Sequence, residues 1–162
     1  DARVTAMLAS FKTALAKQDG ALLAALVSPT HGLSVTYLRT GKTITYTPAL
    51  ARWLFTSTYA ANWGTHPASG LEVKGSFHIE VLPKIQDVLN NPNTTANCNN
   101  PASGPKSYQF SWPFQYGNIN YYALLKPGTP GIDLDWRTWF VGIEYDNGQP
   151  YLFSLLHLFW EP

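Results

Sequence analysis

The sequence predicts one α+β domain over residues 1–162, with helices in the N-terminal third and antiparallel strands in the C-terminal third. Apolar residues recur at helical spacing near the N terminus, whereas Val, Ile, Thr and aromatic residues alternate near the C terminus. The last two apolar runs are joined by Asn147-Gly148, the strongest short signal for a β-hairpin. A length of 162 residues with a hydrophobic fraction of 45% is ordinary for a single domain.

Two helices are expected at the start of the chain. The first covers residues 3–17, where one apolar stripe is formed by Val4, Met7, Leu8, Phe11 and Leu15. Asp19 then caps a second helix that runs through Val27, because a carboxylate at this position accepts hydrogen bonds from the first free amides. The proline of Ser28-Pro29 ends this helix.

A short hairpin and a third helix follow. The β-prone segments Leu33–Leu38 and Lys42–Tyr46 flank a turn that contains Gly41. Pro48 suits the first turn of a helix through Thr56. The residues expected on the buried face of that helix are Leu50, Trp53 and Leu54.

The middle of the chain is rich in turns and loops. Residues 57–75 contain several turn signals, and a strand is expected near Leu71–Phe77. Apolar residues at helical spacing predict a helix over residues 79–90. Residues 91–107 are almost free of apolar side chains, so we expect them to form the longest loop.

Four strands are predicted in the C-terminal third: Tyr108–Phe114, Asn118–Lys126, Trp136–Tyr145 and Tyr151–Trp160. A two-residue turn at Asn147-Gly148 places Trp139 opposite Leu156, Val141 opposite Ser154 and Ile143 opposite Leu152. This alternation assigns a second, strongly apolar face to Trp136, Thr138, Phe140, Glu144, Tyr151, Phe153, Leu155, His157 and Phe159. Such a face requires a cover, which is another layer, a ligand or a second subunit.

The helix pair at Ala14–Pro29 and the hairpin from Trp136 to Trp160 resemble the NTF2-like (SnoaL-like) superfamily. The resemblance implies a cone in which N-terminal helices pack on a curved, mainly antiparallel sheet. It covers about a quarter of the chain, and residues 62–115 depart from the pattern as an inserted helix and loop. The superfamily includes hydrolases, isomerases, dehydratases and non-catalytic binding domains, so the resemblance does not select one function.

Composition and motifs argue against some partners and favour one location. A net charge of +1 without a basic block argues against nucleic-acid binding, and no apolar run reaches the length of a membrane span. No histidine or cysteine spacing matches a metal site, and no cofactor motif is present, so neither is expected. Cys98 has no second cysteine to pair with, and we expect its thiol to be tucked under the loop. A charged fraction of 13%, many aromatics and a start at Asp1 favour a secreted or cell-surface protein.

The candidate catalytic residues are Asp135, Arg137 and His157. In an extended segment Asp133, Asp135 and Arg137 share one face, where two carboxylates beside a guanidinium suit substrate binding and general-base chemistry. The alternative is a charge-satisfying cluster at a strand entry. His157 lies among aromatics, where a buried structural histidine is the competing interpretation. Glu144 is expected to be a solvated turn charge, and His31 a turn residue.

Aromatic side chains supply the candidate ligand contacts. The chain has 6 Trp, 9 Tyr and 8 Phe, and aromatic rings offer large contact surfaces for a sugar or an apolar ligand. The candidates are Trp63, Trp112, Tyr121, Trp136 and Trp139. The alternative is that the aromatic rings of the chain fill the core and a dimer face. This alternative is favoured for Trp53 and Trp139.

Three classes of function are therefore compatible with the sequence. One is an extracytoplasmic domain that binds a small apolar molecule or a sugar in a pocket. Another is a hydrolase or isomerase that uses Asp or His in acid–base chemistry. The third is a non-catalytic interaction domain whose aromatic C-terminal sheet face pairs with another subunit, as in a homodimer, or with a larger parent protein. A sizeable pocket with few titratable groups favours the first, and a held carboxylate or imidazole inside a pocket favours the second.

Overall fold

The structure is a computed structural model that describes residues 1–107 and 110–161. Its elements follow one another in the order α1 (Ala2–Lys17), α2 (Gly20–Leu26), β1 (Leu33–Thr36), β2 (Thr43–Tyr46), α3 (Pro48–Ala51), β3 (Ala61–Thr65), β4 (Glu72–Gly75), α4 (Phe77–Glu80), α5 (Leu82–Leu89), β5 (Thr95–Cys98), a 3-10 turn (Phe114–Tyr116), β6 (Asn120–Lys126), β7 (Arg137–Asp146) and β8 (Gln149–Phe159). The predicted α+β class is confirmed.

The main sheet has six strands in the order β2-β1-β8-β7-β6-β5. Its neighbours are antiparallel except for β1 and β8, which run parallel, so the sheet is mainly antiparallel as predicted. Strands β3 and β4 form a separate two-stranded sheet. Helices α1 and α5 pack on one face of the main sheet and bury a large apolar core between them and the strands.

The N-terminal helices form for the local reasons that the sequence indicates. Four members of the predicted stripe on α1 are buried: Val4, Met7, Phe11 and Leu15. The carboxylate of Asp19 accepts a hydrogen bond from the Leu22 amide at 2.9 Å and so caps α2.

The middle of the chain contains more sheet and less helix than predicted. Helix α3 ends at Ala51 and continues as turns, which leaves Leu50 and Trp53 exposed; their predicted burial is wrong, although Leu54 is buried. Strand β3, which pairs with β4, lies within residues 57–75, where the sequence shows mainly turn signals. The polar loop 91–107 contains β5, because backbone pairing with β6 needs no apolar side chains.

The strand predicted at Tyr108–Phe114 is not found in residues 110–114, which are the part of that segment that the structure describes. Tyr108 and Gln109 lie outside the described residues, residues 110–113 are not in a strand, and a 3-10 turn begins at Phe114. The segment that contains this turn runs across the sheet face opposite the helices. There the ring of Phe110 stacks on Phe140 at 4.2 Å.

A β-bulge changes the register of the last hairpin. Ile143 pairs with Leu152 as predicted, but the next pair is Gly142 with Ser154, so Phe153 is the extra residue. From there Trp139 pairs with His157 instead of Leu156. A one-residue shift moves every later side chain to the other face of the sheet. The predicted placement of Leu155, His157 and Phe159 on the outer face is therefore wrong, and they lie on the helix side.

The centre of the outer face is covered by residues 99–107 and 110–118 of the same chain. Ala102 and Pro105 supply carbonyls that accept hydrogen bonds from Thr138 Oγ1 at 2.8 Å and from Trp136 Nε1 at 3.1 Å. The apolar layer beneath the segment comprises Tyr121, Ala123, Trp136, Phe140 and Leu158, with Phe110 and Trp112 packed on it. The required cover is thus a further layer of this chain.

Candidate functional site

The predicted catalytic residues do not form one constellation. Strand β7 begins at Arg137, and Asp133 and Asp135 lie in the preceding turn, where Asp133 has a φ of 58°. The predicted shared strand face of these three residues is therefore wrong. The Asp135 carboxylate accepts hydrogen bonds from the amide and the hydroxyl of Thr129, both at 2.6 Å, and these bonds lower its pKa. Asp135 thus closes a turn as a carboxylate.

His157 is buried and fully engaged. Its Nε2 accepts a hydrogen bond from the Arg137 guanidinium at 2.8 Å, and its Nδ1 donates to the carbonyl oxygen of Tyr37 at 3.0 Å. Because guanidinium only donates and a carbonyl only accepts, the ring is the neutral Nδ1–H tautomer. Its faces lie against Tyr37, Trp139 and Phe159, with the Trp139 ring centroid 4.5 Å away.

Burial holds the pKa of His157 well below its usual range, and the positive charge of Arg137 lowers it further. A cleft of about 280 Å³ reaches His157 from the side of Thr36 and Phe110. However, both ring nitrogens are already hydrogen-bonded. This arrangement is that of a structural histidine, the competing interpretation at the sequence level.

Arg137 connects His157 to a partly exposed ion pair. Its Nε lies 3.4 Å from Oδ2 of Asp87, and Lys126 Nζ lies 3.0 Å from the same oxygen. One carboxylate therefore lies between two cations, which fixes α5 against β6 and β7. These contacts explain why charged side chains are tolerated here beside a buried imidazole.

Four of the five predicted ligand-binding aromatics are packed in the interior, and the fifth, Trp112, is half-buried. Trp63, Trp136 and Trp139 are at most 1% exposed, and each indole N–H donates to a backbone carbonyl. Trp63 lies in β3, within the segment 57–75 that was expected to be rich in turns. Trp112 stacks on Tyr121 at 4.3 Å. Their ring faces are occupied by protein contacts, which leaves little surface for a ligand.

Exposed aromatics lie instead beside the edge strand β2. A cleft of about 410 Å³ is lined by Ile44, Thr45, Tyr46, Leu50, Trp53, Leu54, Ser57 and Tyr59. Trp53 is 60% exposed and Tyr59 is 74% exposed. Trp53 stands outward because α3 gives way to a turn, in which the Trp53 carbonyl accepts a hydrogen bond from the Ser57 amide at 2.7 Å. The helical spacing of apolar residues predicts that Trp53 is buried, so no sequence pattern indicates this cleft.

Tyr46 lines the same cleft and carries a neutral hydroxyl. Burial raises its pKa to about 12, with a smaller contribution from Tyr59. Within residues 1–107 and 110–161 its hydroxyl forms no hydrogen bond. A protonated phenol of this kind can donate to an uncharged ligand oxygen.

Two further predictions about polar groups are wrong. The Glu144 side chain is only 15% exposed and binds Ser28 and His31, so it is not a solvated turn charge. Cys98 lies at the end of β5 and its thiol is exposed rather than tucked under a loop. No local motif links Glu144 to residues more than a hundred positions earlier, and hence only the folded chain reveals this contact.

The described part of the chain contains no cluster of three metal-ligating side chains. None of its helices has the length and apolar character needed to cross a membrane. Comparison with protein-family models, curated proteins and solved structures finds no match to this chain.

Proposed function

We propose that the protein is a small-molecule binding domain that holds a sugar or an apolar ring in the cleft beside β2. The observation that carries the proposal is the pair of exposed rings, Trp53 and Tyr59, at a cleft of about 410 Å³. Exposed aromatic faces are costly in water and offer a large, rigid contact surface to a ring-shaped ligand.

The polar groups of the cleft suit an uncharged ligand. The hydroxyl-bearing residues Thr45, Tyr46 and Ser57 lie on its wall, and none of the described residues that line it is charged. Binding sites for small molecules are commonly apolar with a few polar groups that orient the ligand. Such a lining favours a sugar or an apolar ring over an ionic metabolite.

The proposal places the domain outside the cytoplasm, in keeping with a charged fraction of 13% and an aromatic fraction of 14%. It needs no second subunit at the C-terminal sheet face, because residues 99–107 and 110–118 already cover the centre of that face. Acid–base chemistry at Asp135 and His157 is not part of the proposal, since both side chains are engaged in structural hydrogen bonds.

The test is a titration of the full chain with a panel of mono- and disaccharides and with an apolar naphthalene dye. Tryptophan fluorescence and calorimetry would report binding. Trp53→Ala should weaken binding about tenfold, or about 1.4 kcal/mol, and change stability by less than about 0.5 kcal/mol because the ring is exposed.

Phe114→Ala is the matched control, since Phe114 is 98% exposed but does not line the cleft. It should bind like the parent protein. Equal affinity of Trp53→Ala and the parent, or no binding of any compound in the panel, would refute the proposal.

A further inference from the structure

A second cleft contains an imidazole held by a carboxylate. His31 Nδ1 lies 2.6 Å from Glu144 Oε1, and the other carboxylate oxygen accepts a hydrogen bond from Ser28 Oγ at 2.5 Å. Ser28 Oγ in turn accepts from the His31 amide at 3.0 Å. The three residues thus form a closed set of hydrogen bonds in which each contact restrains the other two.

The turn that carries His31 is anchored to the sheet. Ser28 is fully buried, and its amide donates to the Leu152 carbonyl of β8 at 2.9 Å. The turn closes with a hydrogen bond from the Gly32 amide to the Ser28 carbonyl at 3.0 Å, and the φ of 75° at Gly32 favours glycine. The imidazole therefore stands on a rigid support.

The hydrogen bond to Glu144 decides the tautomer of His31. A carboxylate accepts only, so Nδ1 carries the proton, and the lone pair of the neutral ring is on Nε2. In the described residues no hydrogen bond reaches Nε2, and the His31 side chain is 58% exposed. In contrast to His157, this histidine has a nitrogen free to take a proton.

The His31 side chain lines a cleft with aromatic and amide walls. The cleft has a volume of about 310 Å³ and is lined by His31, Gln115, Tyr116, Asn118, Ile119, Glu144 and Phe153. Phe153 is the bulge residue of β8, and its ring meets Tyr116 edge-on at 5.0 Å and His31 edge-on at 6.1 Å. Bulges commonly redirect a side chain beside a functional site.

We propose that His31, Glu144 and Ser28 form a general-base site that hydrolyses small, uncharged esters carrying a ring. His31 is the catalytic residue, and Glu144 and Ser28 are positioning residues that fix its tautomer and orientation. The ring of the ester packs against Phe153 and Tyr116. The amides of Gln115 and Asn118 lie on the same wall and suit the polar ester group.

The reaction needs only water as co-reactant. Nε2 of His31 takes a proton from a water molecule while the water oxygen bonds to the ester carbonyl carbon, and the carbonyl π electrons move to oxygen. The carbonyl re-forms as the bond to the leaving oxygen breaks. That oxygen takes the proton from Nε2, which gives one alcohol and one carboxylic acid and restores the neutral imidazole. Glu144 stabilises the imidazolium formed between the two steps.

The activity is measured on the full chain with p-nitrophenyl acetate. General-base catalysis contributes about 100-fold or more, so His31→Gln should lower the rate about 100-fold. Glu144→Gln should lower it less, because the imidazole remains but loses its fixed tautomer. The parent rate should also be slower in D2O, since a proton moves in the rate-limiting step.

His66→Gln is the matched control. The Nδ1 atoms of His66 and His78 contact the Ala68 amide and the Ser76 hydroxyl rather than a carboxylate. His66→Gln should keep the parent rate. Equal rates for His31→Gln and His66→Gln would overturn the proposal and leave the hydrogen bonds as a turn anchor.

A second measurement is independent of whether the Glu144 variant folds. Diethyl pyrocarbonate modifies neutral imidazole, and mass spectrometry of the native parent gives a rate for each histidine. His31 should react faster than His66 and His78, because the carboxylate holds its ring as the Nδ1–H tautomer and leaves the lone pair on Nε2 of an exposed side chain. Reaction of His31 no faster than these two would also overturn the proposal.

Discussion

Acidification should destabilise this protein through His157. The folded state holds the ring neutral between Arg137 and the Tyr37 carbonyl, with its pKa well below the usual 6.5. The unfolded chain binds a proton near pH 6.5. Between that pH and the lower folded pKa, the unfolded state therefore carries more protons, and stability falls as the pH falls.

The size of the effect follows from the difference in bound protons. One proton bound only by the unfolded state changes the free energy of unfolding by about 1.4 kcal/mol per pH unit. For a group with an unfolded pKa of 6.5 and a much lower folded pKa, the loss between pH 7 and pH 5 is about 2 kcal/mol. This pH range avoids most of the carboxylate titrations.

Urea unfolding followed by tryptophan fluorescence at pH 7 and pH 5 measures the loss. His157→Gln should remove about 2 kcal/mol of the difference between the two pH values. Phe114→Ala removes an exposed side chain without a titratable group and should leave the difference unchanged. If His157→Gln does not fold, NMR of the parent should show the His157 ring neutral at pH 5. A His157 ring that is charged at pH 5, or an unchanged pH dependence in the variant, refutes the reasoning.

Two further predictions concern the interior and the surface. Trp63→Ala should lower the free energy of unfolding by about 3–5 kcal/mol, because the ring is fully buried and its N–H donates to the Gly75 carbonyl. Urea denaturation of this variant and of Trp53→Ala measures the loss. A loss below about 1 kcal/mol for Trp63→Ala would contradict the assigned burial. Native protein should react with one equivalent of a thiol reagent at Cys98, because its thiol is exposed, whereas protection until denaturation would place it in the interior.

The agreement between sequence and structure is best where a few neighbouring residues decide the outcome. The apolar stripe of α1 and the Asp19 cap of α2 act within one or two helical turns. The turn at Asn147-Gly148 likewise sets the pairing of Ile143 with Leu152. Local periodicity and turn chemistry are sufficient for such elements.

The candidate sites were less predictable because they depend on contacts between distant segments. The continuation of α3 as turns places Trp53 outside, although its helical spacing indicates burial. The polar segment Thr95–Cys98 joins the sheet because its backbone pairs with the amide and carbonyl groups of β6. No local sequence pattern predicts either outcome, because the rest of the fold supplies the partner strand of β5 and the packing surface beside α3.

By itself the sequence determined the α+β class, the two N-terminal helices and the final hairpin, because short-range backbone preferences and apolar periodicity specify them. Tertiary structure decided that His157 has both ring nitrogens hydrogen-bonded and that His31 is hydrogen-bonded through Nδ1 alone. The extra residue Phe153 shifts the register of β8 and turns His157 into the core, while the chain path brings Glu144 to His31. Both effects depend on pairing across the sheet, where one residue of register exchanges the two faces and no local motif records the partner.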